Sequence, residues 1–265
     1  MSARALCCRI AAIILFSYLY ASSPASAAEK IELVSDPYCP FACRSDSDHP
    51  GYVVEIAKAV FEPLGYEVQY RTIPFNRSVA MVAKGLADGL VAATKDPSRE
   101  KYYFGEEELG RAQVCFYTLP SSNFRYIDLN SLKHQRVGSV QGYAYGKEIM
   151  PMFSVPDIEN DSIAGDKALL ANIGKLIHGR IDTVVGNNMV MDYTLAHDFP
   201  GTVLRNAGCA RETLSFYIPF SPARANSALY ASLLSKGVVS LRKNGTLNDI
   251  LARYGLKDWK GNPPR

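Results

Sequence analysis

Apolar and polar residues recur along this chain with two periods, and the two periods take turns. IELVSD (31–36), YEVQYRTI (66–73) and DGLVAAT (88–94) are short, strand-like apolar runs bounded by turn residues. Between them, Val53, Ala57, Val60 and Leu64 recur at helical spacing, with Gly65 placed as a C-terminal stop, and a second helix is predicted over 76–84, ended by Gly85. Strand, helix, strand, helix, strand is the order of a mainly parallel sheet covered by helices. AQVCFYTLP (112–120) then reads as a longer strand leaving this unit. The pattern restarts with a strand and glycine turn in RVGSVQG (136–142), a helical start over 143–150, an amphipathic helix over 167–179, a strand in RIDTVVGN (180–187) and a helix over 188–199. A second long strand, ETLSFYIPFS (212–221), precedes two closing helices over 223–243 and 246–254. Two long strands flanking a middle α/β unit predict a two-lobed α/β molecule with a paired crossover: lobe I from 28–118 and 214–265, lobe II from 119–213. A cleft between such lobes is the default place for a small ligand.

The first 27 residues read differently. Arg4 and Arg9 precede an apolar run of about 11 residues, IAAIILFSYLY, followed by Ala25-Ser26-Ala27, a small-residue cleavage pattern. A membrane span needs roughly 20 apolar residues, so the segment is expected to be a signal peptide cut after Ala27, exporting the protein to the periplasm. Cys7 and Cys8 stand before the apolar run, whereas a lipid-acceptor cysteine would follow it.

Charge adds little. The formal net charge is +3, and +1 without Arg4 and Arg9, which gives no reason to expect nucleic acid as a partner. Export changes the reading of the cysteines. Cys39, Cys43, Cys115 and Cys209 remain, an even number that points to two disulfides in an oxidising compartment. Three pairings exist. Pro40 in CPFAC encourages a turn that favours Cys39–Cys43, leaving Cys115 for Cys209, and the predicted layout sets these two at or beside the crossover strands. The four histidines are scattered without CxxC or HExxH spacing, so neither a metal nor another cofactor is expected. Gly138, Gly142 and Gly146 form neither GxGxxG nor a P-loop.

The order of GYVVEIAKAVFEPLGYEVQY, PFNRSVAMVAKGLADGLVAATKDPSREKYYF, RVGSVQGYAYG, GRIDTVVGN and LRKNGTLNDILARYGL resembles the extracellular solute-binding proteins of family 3, the polar amino-acid type with the type 2 periplasmic-binding (Venus-flytrap) fold. The resemblance covers nearly all of the chain after the leader. It implies a monomer that closes on a small-molecule ligand and hands it to a membrane ABC permease. It also implies a carboxylate grip by Thr94 and Arg99 in ATKDPSRE, although two more residues separate them than is usual in the family. A guanidinium fork suits a carboxylate in any case.

The resemblance further places Gly142-Tyr143 at a helix N-terminus facing the carboxylate, with Tyr143 where the family has a small hydroxyl residue. Asn187 stands where amino-acid binders commonly carry an aspartate for the ligand ammonium. A neutral amide cannot neutralise a buried ammonium, so either another carboxylate, Asp36, takes that role or the ligand is not an ordinary α-amino acid. Asp182 is expected to be structural. Tyr38 and Phe41 lie on the loop where the family stacks a ring on the ligand, and Arg77 in IPFNRSV resembles a further motif position. Two other functions compete with transport. An enzyme resembling cyclohexadienyl dehydratases would need a cleft acid or base, for which Glu106–Glu108 are available, and a soluble sensor would dock on a membrane receptor.

Overall fold

The structure is a computed structural model and describes residues 28–261. The expected signal peptide, with Arg4, Arg9, Cys7 and Cys8, lies outside the described residues.

The first sheet holds β1 (Glu29–Ser35), β2 (Tyr66–Thr72) and β3 (Gly89–Leu90) in the order β2-β1-β3, with all pairings parallel. Side chains alternate across a strand, and β1 uses both faces. Ile31 and Leu33 join the large core under α1 (Tyr52–Phe61), α5 (Ser227–Asn244) and α6 (Thr246–Ala252). Val34 points the other way, into a small cluster with Val82, Ala87 and Leu90 beneath α2 (Phe75–Ala83).

The second sheet runs β4-β9-β5-β8-β6-β7, built from β4 (Ala93–Thr94), β5 (Gly110–Thr118), β6 (Arg136–Val140), β7 (Glu159–Ile163), β8 (Thr183–Asn187) and β9 (Arg205–Tyr217). Cys115, Tyr117 and Val184 face Ile173 and Leu176 of α3 (Ala168–Ile177) and Met191 of α4 (Asn188–Asp198). Val114 and Phe116, one residue out of phase, belong instead to the large core that continues into the first lobe. Arg136 clamps Asp182 through two side-chain bonds of 3.0 and 2.7 Å, and its backbone N–H adds a third at 2.8 Å. That network fixes the start of β6 beside β8, a structural task.

The lobes meet along the antiparallel pair β5 and β9, whose register sets Cys115 opposite Cys209. The two are disulfide-bonded, as are Cys39 and Cys43. Three elements differ from the sequence pattern. Residues 143–149 form turns and no helix, followed by a 3-10 segment Met150–Ser154. Gly142 and Gly146 both have positive φ there, and Tyr143 and Tyr145 face one cavity at a spacing of two residues, which a helix cannot do. Strand β9 begins at Arg205, seven residues before the predicted strand, because backbone pairing with β5 continues past register shifts that interrupt the alternation. Strand β7, ENDSI, is a polar edge strand held by parallel pairing to β6 and carries no apolar signal.

In the chain-entropy account, a crosslink's contribution grows with the loop it closes. The Cys115–Cys209 bridge spans 94 residues and Cys39–Cys43 spans 4. Replacing the first pair by alanine is expected to lower the unfolding free energy by roughly 4 kcal/mol, and the second by about 2 kcal/mol. Urea denaturation of the two variants checks that order.

Candidate functional site

Between the lobes, a small cavity lies among side chains that follow the carboxyl ends of several strands. Open α/β sheets place ligands at this end because the loops there leave a crevice. Ser35 and Asp36 close β1, Thr94 closes β4, Asn187 closes β8, and Tyr143, Ala144 and Tyr145 follow β6. Val114, Leu214 and Phe216 on the crossover strands, with Tyr38 and Phe75, supply apolar and aromatic walls. Ala92, between β3 and β4, adopts a left-handed φ of 58° at the cavity wall, a conformation that costs an alanine about 1–2 kcal/mol.

Arg99 ends a 3-10 turn, Pro97–Arg99, whose cap Asp96 accepts the Ser98 N–H at 2.9 Å. The arginine is 4% exposed. One terminal nitrogen donates to the Thr94 carbonyl at 3.3 Å, while Nε has no partner among the described residues. The guanidinium lies 5.5 Å from the centre of the Phe75 ring, within cation–π range. Burial disfavours its charge and Asp96 partly restores it, yet an arginine stays protonated in proteins. The result is a buried cation with unused donors beside an opening.

Asp36 is the acidic member of the cavity lining, and it too is 4% exposed. Its Oδ2 accepts the Tyr143 hydroxyl across the cleft, and the Ser35 hydroxyl lies 3.5 Å from Oδ1. Burial pushes its carboxyl up to about 6, against the opposing pull of the Tyr143 hydrogen bond. Burial also raises the hydroxyls of Tyr38, Tyr143 and Tyr145 above the usual phenol range, so all three stay protonated near neutral pH.

The Asn187 carboxamide oxygen accepts the backbone N–H groups of Met189 and Val190 at 2.9 and 3.3 Å, capping α4. With both lone pairs of that oxygen engaged, the side chain has only N–H donors left for the cavity and offers no acceptor to an ammonium.

Of the residues singled out in the sequence, Asp36, Tyr38, Thr94, Arg99, Tyr143 and Asn187 line this cavity together. Two lie elsewhere. Phe41 is fully buried in the core, with its ring 4.6 Å from Phe216 and 5.2 Å from Tyr52, where it backs the wall instead of forming it. Arg77 is exposed on α2: Phe75 faces the cleft, and two residues further on a helix points away from it. Gly142 sits at the rim in a turn, not at a helix N-terminus, and faces Asn76 of lobe I. Phase along the elements marks the lining residues that motif reading passed over. Phe75 opens an amphipathic helix, and Leu214 and Phe216 share one face of β9.

Glu106, Glu107 and Glu108 do not line the cavity. Glu107 pairs with Arg242 and Lys260, and Glu108 with Arg111 and the Ser215 hydroxyl. Among the described residues, no three His, Cys, Asp or Glu side chains gather as a metal site would require, and no helix is long and apolar enough to cross a membrane.

Comparison with known proteins agrees with this architecture. Probable amino-acid-binding protein YxeM of Bacillus subtilis (strain 168) is 22% identical over 223 residues, covering 83% of this chain and 81% of the relative. An ancestral arginine-binding protein, solved with arginine bound, superposes with a TM-score of 0.71 at 20% identity, covering 86% of this chain and 99% of that one. A histidine kinase sensor domain with similarity to periplasmic binding proteins superposes with a TM-score of 0.73 at 17% identity, covering 86% and 96%. The fold is thus the two-lobed type 2 periplasmic-binding, Venus-flytrap arrangement. The model of the bacterial extracellular solute-binding proteins, family 3, matches residues 31–257, and the chain belongs to that family.

Proposed function

We propose that the protein is exported to the periplasm and captures a small carboxylate-bearing solute, an amino acid or a derivative of one, for delivery to a membrane ABC permease. The observation that carries this reading is the buried Arg99 guanidinium, which faces the cavity with unpartnered N–H groups and makes no ion pair among the described residues. An unmet buried donor costs about 1–3 kcal/mol, more when charged, and a carboxylate is the planar acceptor that fits the guanidinium fork. In this reading Asp36 is the counter-charge for a ligand ammonium, because Asn187 has its acceptor committed to α4. The Glu106–Glu108 candidates for an enzymatic acid or base lie outside the cavity lining.

A thermal-shift screen of amino acids, their deaminated analogues and small carboxylic acids identifies the ligand, since binding to the native state raises the melting temperature. Titration calorimetry then tests the grip. Arg99→Ala is expected to weaken the best ligand by about 2–5 kcal/mol, 30-fold or more, with the melting temperature of the free protein little changed. Unaltered affinity would move the carboxylate elsewhere.

The pH dependence separates ligand classes. Below pH 6 Asp36 takes up its proton and ceases to neutralise an ammonium. Affinity for an α-amino acid is therefore expected to fall, approaching tenfold per pH unit as pH drops below about 6, while a deaminated analogue shows no such loss. Flat profiles for both would remove Asp36 from ligand binding.

A further inference from the structure

Tyr143 belongs to lobe II, yet its ring is inserted among residues of lobe I. Its centre lies 5.4 Å from Tyr38 and 5.1 Å from Phe75, and it stands edge-on to both, at 89° and 76°. Its hydroxyl ends on Asp36. The contact is close along the whole approach. Gly142, immediately before it, has φ +85°, and a Cβ added there would lie 2.0 Å from the Asn76 side-chain oxygen of lobe I. Only glycine lets the loop seat so near and still turn the next side chain inward. The slot between Tyr38 and Phe75 therefore has aromatic walls, an acid at its end and a tyrosine inside it. What remains open is a small space that the ring shares with Arg99, Thr94, Asp36 and Asn187.

We infer that Tyr143 is a built-in occupant of the cleft and a specificity-determining residue: it fills the aromatic slot that ends at Asp36, bridges the lobes, and restricts solutes to those small enough for the space left beside it. The inference rests on the reading of Arg99 given above. Each part has a physical cause. The ring takes the volume that a longer ligand side chain would need, and its edge-on packing with Tyr38 and Phe75 holds it there. The hydroxyl supplies the hydrogen bond that keeps the Asp36 carboxyl satisfied while buried. An α-ammonium would use the Oδ1 that Tyr143 leaves free, whereas a second, long cationic arm would reach Oδ2 only by displacing the ring.

Tyr143→Ser keeps a hydroxyl and vacates the slot, whereas Tyr143→Phe keeps the ring and removes the hydroxyl. The experiment is calorimetric titration of wild type and both variants with L-alanine and L-lysine, beside small-angle X-ray scattering of each protein without ligand. Wild type and Tyr143→Phe are expected to take alanine in preference to lysine. Tyr143→Ser should bind lysine about tenfold tighter or more than wild type does, with a smaller gain for alanine. The ligand-free Tyr143→Ser protein should also scatter as a more open molecule than wild type.

Equal lysine affinity in wild type and Tyr143→Ser overturns the inference, as does equal gain in both variants. If neither amino acid binds any of the proteins, the Arg99 reading fails for these ligands and scattering decides the rest. An identical radius of gyration for wild type and Tyr143→Ser overturns the bridge, and an opening of the variant alone supports it.

Discussion

Antiparallel pairing of β5 with β9 is the constraint from which the rest of the molecule follows. These strands are the two passages of the chain between lobes, and their pairing runs from Gly110 opposite Phe216 to Thr118 opposite Arg205. Because they are hydrogen-bonded to one another, this ladder fixes where the lobes are joined. The Cys115–Cys209 bridge sits inside this ladder, at a register position where the two cysteines are already opposed. The same strands furnish cavity wall on the side chains that point away from the disulfide: Val114, Leu214 and Phe216. The connection between the lobes and the floor of the site are therefore one piece of structure.

On that floor the electrostatics are asymmetric. Asp36 has a hydrogen-bonded partner in Tyr143, and burial has already raised its carboxyl toward the neutral range. Arg99 has neither remedy. It cannot give up its proton, and Thr94 offers it a single carbonyl at 3.3 Å. A buried cation left in that condition is a cost carried by the protein itself, and an anionic solute relieves it. Tyr143 is the counterpart on the acidic side, where the protein supplies internally what a solute would otherwise provide.

Much of the fold was legible because it depends on periodicity. The first five elements and the two closing helices follow from apolar spacing alone, since each buries one face against a sheet. β7 escaped notice because its ENDSI sequence contributes pairing and little burial. The early part of β9 was missed for a related reason: register shifts break the alternation there while backbone bonding continues. The helix expected over 143–150 failed because Gly142 and Gly146 adopt positive φ, and because Tyr143 and Tyr145 are both drawn to one cavity.

The site was legible where chemistry resides in a residue type. Arg99 is picked out by its place after Thr94 in ATKDPSRE, which resembles the family's carboxylate grip, and Asp36 as the carboxylate that could replace the aspartate missing at Asn187. What Asn187 and Tyr143 do could not be chosen in that way. An asparagine at a strand end can face a ligand or cap the next helix, and only the N–H groups of Met189 and Val190 decide for the cap. A tyrosine after a glycine turn can point to solvent or across a cleft, and the approach of lobe I decides for the cleft. The sequence by itself determined most of the elements and their order, because periodicity is a local property of the chain. Tertiary structure decided which part of the cleft was already full, because Tyr143 and Asp36 meet from 107 positions apart, while the backbone geometry at the start of α4 decided which lone pairs of Asn187 were already spent.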